Sequence, residues 1–63
     1  MNLVQALLLV EEFFFQLGEP HKYSLWLETP NDMLGGISPL HMIYIGRQQK
    51  LINFIQTSVV ENS

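Results

Sequence analysis

Hydrophobic residues fill the N-terminal stretch of the chain almost without a break. Between Leu3 and Leu17 the polar positions are Gln5, Glu11, Glu12 and Gln16. At roughly 100° per residue Gln5, Glu12 and Gln16 fall on one narrow stripe, with Glu11 to one side. Leu3, Val4, Ala6, Leu7, Leu8, Leu9, Val10, Phe13, Phe14, Phe15 and Leu17 cover the rest of the wheel. Neither Gly nor Pro occurs before Gly18, so the pattern predicts a first helix over Asn2–Leu17, with Asn2 placed to cap it. Gly18-Glu19-Pro20 reads as a C-cap and stop. Tyr23, Trp26 and Leu27 then recur at i, i+3, i+4 and predict a short second helix over His21–Glu28. A third helix is predicted over Pro39–Ile45, with Leu40, Ile43 and Tyr44 inward and Gly46 ending or bending it. In a fourth, Arg47–Val60, Leu51, Ile52, Ile55 and Val59 form one face, and Gln49, Asn53 and Gln56 lie opposite. No stretch alternates with period two and no repeat recurs. The expected fold is all-α: one small four-helix domain over residues 1–63, with a Pro/Gly-rich corner between helices two and three.

That corner, Trp26 to Pro39, is dense in punctuation. Pro30 disfavours the α region for Thr29 and stops the second helix there. Asn31 or Asp32 caps a short turn. Gly35-Gly36 allows positive φ. Ser38 is a preferred N-cap and Pro39 a preferred first helical residue. The single Trp, Trp26, reads as a core anchor whose indole N–H meets a carbonyl. Such density implies a specified corner and not a slack linker.

A helix that is apolar nearly all round must be buried nearly all round. The chain has 63 residues and no cysteine, so few other elements surround that helix and no disulfide supports the fold. Its outer flank, Leu8 with Phe15 or Val4 with Phe14, is therefore expected to be an interface between copies. The net charge is −3, and three scattered cations, Lys22, Arg47 and Lys50, make no basic stripe. Nucleic-acid binding by this chain alone is not expected. Met1–Val10 has no basic n-region, and Glu11-Glu12 interrupts the apolar run before the roughly 20 residues of a membrane span. A cytoplasmic protein without membrane association is the expectation.

The residues with reactive chemistry are His21, His41, Ser38, Glu28 and Asp32. Ser38 is explained by capping, and His41 by packing or capping in a first helical turn. No pair has metalloprotease spacing, and Gly35-Gly36 lacks the flanking pattern of a phosphate loop. No enzyme, cofactor or metal site is expected; with no cysteine, two histidines are too few for a structural zinc site without carboxylate help.

The corner resembles the toxin-binding domain at the C-terminus of Xre/MbcA/ParS-type bacterial antitoxins. The residues that carry the resemblance are Trp26-Leu27, Pro30-Asn31, Leu34-Gly35-Gly36, Ser38-Pro39-Leu40, Gly46, and the apolar positions Leu51 to Ile55. Phe15 to Gly18, followed by Glu19-Pro20-His21-Lys22, resembles the family's aromatic–Gly turn ahead of the Trp helix. The similarity runs over about Val10 to Val60. It implies a small all-α domain that neutralises a RES-type toxin, an enzyme class that attacks NAD⁺. It also implies toxin contact through the last helix and the chain's end, here Val59, Val60, Glu61, Asn62 and Ser63. Many members carry a helix-turn-helix domain ahead of this one. Here the helix Leu3–Leu17 alone precedes the motif, too short for such a reader, so operator binding is not expected. Two other readings stay open: a structural homodimer or remnant with no toxin partner, and a small DNA-associated regulator.

Overall fold

The computed structural model describes residues 1–60, with Val60 described by its backbone alone. Four α-helices follow in order: α1 Leu3–Gln16, α2 Lys22–Glu28, α3 Pro39–Tyr44 and α4 Gln48–Ile55. A 3₁₀ turn, Asp32–Leu34, lies between α2 and α3, and a π-helical turn, Gln56–Val60, continues α4. Among the described residues there is no strand. One isolated antiparallel bridge joins Asn31 and Ile37. The expectation of a small all-α domain holds.

The helix ends follow from local chemistry. Asn2 Oδ1 accepts from the Gln5 amide at 2.8 Å, and the Asn2 amide donates to Gln5 Oε1 at 2.9 Å. This is a capping box, which satisfies two otherwise orphan donors. At the other end the Gly18 and Glu19 amides reach back to the Phe15 and Phe14 carbonyls, at 3.0 and 2.9 Å. The same pair of bonds closes α3, from Gly46 to Ile43 at 3.2 Å and from Arg47 to Met42 at 2.8 Å. Both are Schellman closures with glycine at the left-handed position.

In the corner, Asn31 is the hub. Its Oδ1 accepts from the Met33 amide at 2.9 Å. Its carbonyl accepts from Leu34 at 2.9 Å and Gly36 at 3.0 Å, and its own amide donates to Ile37 at 3.1 Å. Asn31, not Asp32, is thus the cap. Gly35 and Gly36 sit at φ 80° and 82°. Ser38 Oγ accepts from the His41 amide at 3.1 Å, with Pro39 at the start of α3.

The core lies between α1, α3, α4 and the corner: Ala6, Val10, Leu34, Met42, Leu51, Ile52 and Ile55 are buried. Each large apolar side chain buried there contributes about 1.5–3 kcal/mol. Leu3, Leu7, Phe14, Tyr23, Trp26, Ile37, Ile43, Phe54 and Val59 close the rim. The inner face of α4 is the expected one, and Gln49, Asn53 and Gln56 are exposed.

Three expectations are corrected. The inner residues of α3 are Pro39 and Met42, with Ile43 half-buried, while Leu40 is exposed and Tyr44 is 87% exposed. The helix is turned by about one residue, or roughly 100°, because Ser38 and Pro39 bring the chain in with Pro39 already against the core. The regular α-helix of the last segment ends at Ile55 and widens into the π turn. There Thr57 Oγ1 donates to the Asn53 carbonyl at 2.9 Å, and such back-bonding disturbs a regular helix. Trp26 is half-buried at the core's rim, and its indole makes no hydrogen bond among the described residues.

Candidate interaction surfaces

The apolar ring of α1 divides into two faces. Ala6 and Val10, one helical turn apart, enter the core, with Leu3, Leu7 and Phe14 beside them. Val4, Leu8 and Phe15 point the other way and are 65%, 56% and 70% exposed. Of the four residues expected at an interface between copies, these three share an outer stripe. Phe14 packs inward, with its ring edge-on to Phe13 at 5.6 Å between centroids. Glu11 and Glu12 flank the stripe, and Leu8, Glu11, Glu12, Phe15 and Pro20 line a shallow depression.

A second surface lies where α1, α2 and the π turn meet. Val10, Phe13, Phe14, Trp26, Phe54, Ile55, Ser58 and Val59 line a groove of about 280 Å³. Its aromatic side chains come from three different helices. Val59 stands at this groove, half-buried against the core. The side chain of Val60 and the whole of Glu61, Asn62 and Ser63 lie outside the described residues. Of these residues Val59 was expected at a partner interface, whereas Phe13 and Phe54 were not. The signal for Phe54 was present, since it follows the Leu51-Ile52 pair of an amphipathic helix, but its partner from α1 is remote in sequence.

A third surface joins the corner to α4. Met33, Leu34, Gly35, Met42, Arg47, Lys50 and Phe54 line a pocket of about 270 Å³. Met33 is 76% exposed at its rim. Arg47 precedes α4 and Lys50 lies in its first turn, so both cations point from one helix end toward the corner.

The residues with reactive chemistry are placed as follows. Glu28, Ser38 and His41 line one open depression with Leu40 and Tyr44. The His41 and Tyr44 rings meet edge-on at 6.4 Å. Ser38 Oγ is engaged with the His41 amide. No side-chain hydrogen bond links Ser38 with the His41 ring or with Glu28 among the described residues. His21 is exposed beside α2, and Asp32 is exposed in the 3₁₀ turn. Among the described residues, no three His, Asp or Glu side chains gather as a metal site, and no helix is long and apolar enough to cross a membrane. Tyr23, half-buried on α2, has its phenol pushed above the ordinary tyrosine value, first by burial and then by the Glu11 carboxylate of α1.

Comparison of the chain with protein-family models, curated proteins and solved structures returned no match.

Proposed function

We propose that this chain is a protein-interaction module of the antitoxin type, whose partner is a RES-type toxin. The observation that carries the reading is the apolar groove at the end of α4. Trp26, Phe54 and Val59 converge there, beside the segment that leads into Val60–Ser63. Exposed apolar grooves of this kind take up a partner's side chains, and a few buried anchors dominate the affinity. The sequence resemblance supplies the partner's class and the direction of approach, with the C-terminal end reaching the toxin's nucleotide pocket.

The test is titration against a RES-type toxin. Val60→Asp weakens binding by about 1–3 kcal/mol if that end is the anchor, and removal of Glu61–Ser63 weakens it further. Circular dichroism checks that both variants keep their helix content. Folded variants that bind as tightly as the parent move the interface elsewhere.

A second reading is favoured by a separate observation, the outer stripe of α1. Three large apolar side chains more than half exposed on one helix face form a surface for another protein surface to cover. The reading is that copies of this chain self-associate through Val4, Leu8 and Phe15.

A further inference from the structure

Charges that are scattered along the sequence are grouped in space. Lys22 is spoken for, paired with Glu19 at 3.0 Å on the surface. The other two cations, Arg47 and Lys50, line one pocket together with Met33 and Phe54, and among the described residues no acidic side chain lines it. On the outer face of α1 the arrangement is inverted. Glu11 and Glu12 flank exposed Leu8 and Phe15 in the depression on α1. The α1 sequence contains no Lys, Arg or His. Among the described residues neither Glu11, Glu12, Arg47 nor Lys50 takes part in an ion pair.

These two patches are complementary. An α1-on-α1 seam between copies would bring four carboxylates together, with no cation on either helix to offset them. Like charges juxtaposed across an interface oppose association, whereas opposite charges steer it and set its register. The α1 stripe therefore calls for a surface that is both apolar and positive. This chain carries one, at Met33, Arg47, Lys50 and Phe54.

We propose that copies of the chain associate by docking the Leu8–Glu11–Glu12–Phe15 face of one on the Met33–Arg47–Lys50–Phe54 pocket of the next. The proposal rests on the self-association reading and names the surface that the α1 stripe meets. Two different patches meet, so the contact closes reciprocally in a pair or extends to a longer assembly.

A charge-exchange experiment tests it on the full chain. Sedimentation equilibrium compares the parent with Glu11→Lys/Glu12→Lys and with Arg47→Glu/Lys50→Glu. All four positions are exposed, and circular dichroism checks the fold of each variant. Both patches of either variant carry the same sign, so each alone self-associates at least about tenfold more weakly than the parent. Mixed in equal amounts, the two variants restore both complementary contacts and recover the parent's association. Raised salt weakens the parent's association, because exposed charges are screened. A parent that associates while both variants associate equally well overturns the docking assignment and leaves self-association standing. So does an association that salt leaves unchanged, or a mixture of folded variants that stays apart. A parent that is monomeric throughout overturns both.

Discussion

At Gly35 and Gly36 the backbone takes φ 80° and 82°, and a Cβ at either position would meet nothing within 4 Å among the described residues. The need for glycine there is conformational, not steric. The chain must bend back so that the Gly36 amide reaches the Asn31 carbonyl at 3.0 Å. Gly36→Val is expected to destabilise the fold by about 1 kcal/mol or more, since a β-branched residue is strained in that region. Thermal unfolding checks this, and an unchanged midpoint shows that the pair is not required. Tyr23 supplies a pH test. Its phenol holds its proton above the ordinary value near 10. The folded state therefore binds more protons than the unfolded state between the two values, and stability falls as pH rises through that window. The contribution is fully present below about pH 10. Urea midpoints measured near pH 9 and near pH 11 should drop less in Tyr23→Phe than in the parent. An equal drop assigns the loss to other groups.

For the helices, the amphipathic pattern was most legible where it was longest. The inner face of α4 could be read at Leu51, Ile52 and Ile55, because the helix has polar residues on its other side to mark the phase. The helix α3 was misread. It has six residues, Pro39–Tyr44, and five of them are apolar or aromatic, so composition does not define an inner side. Its phase comes from Ser38 and Pro39 at one end and the Gly46 closure at the other. The consequence can be measured. Met42, 2% exposed, is expected to cost about 2–5 kcal/mol when replaced by Ala. Tyr44→Ala is expected to stay within about 0.5 kcal/mol. Urea denaturation distinguishes them, and the reverse order would put Tyr44 on the inner face.

The folded chain measures 30 × 22 × 19 Å, so no helix lies far from solvent and every one keeps an outer side. The sequence by itself determined the order of the elements, the caps at Asn2 and Ser38, the stop at Gly18 and the turn residues of the corner. Those features rest on contacts between residues up to about six apart: Asn2 with Gln5, Asn31 with Gly36, Ser38 with His41, Phe14 with Glu19. Such contacts form wherever the local residues permit them, and residue type alone identifies them. The tertiary structure decided which half of the α1 ring meets Leu51 and Ile55, and so left Val4, Leu8 and Phe15 outside. It decided that Phe13, Trp26 and Phe54 share a groove, and that Arg47 and Lys50 stand beside Met33. Each of these depends on the angle at which one helix crosses another. That angle is set by packing across the whole core, by residues far apart in the chain, and no local pattern encodes it.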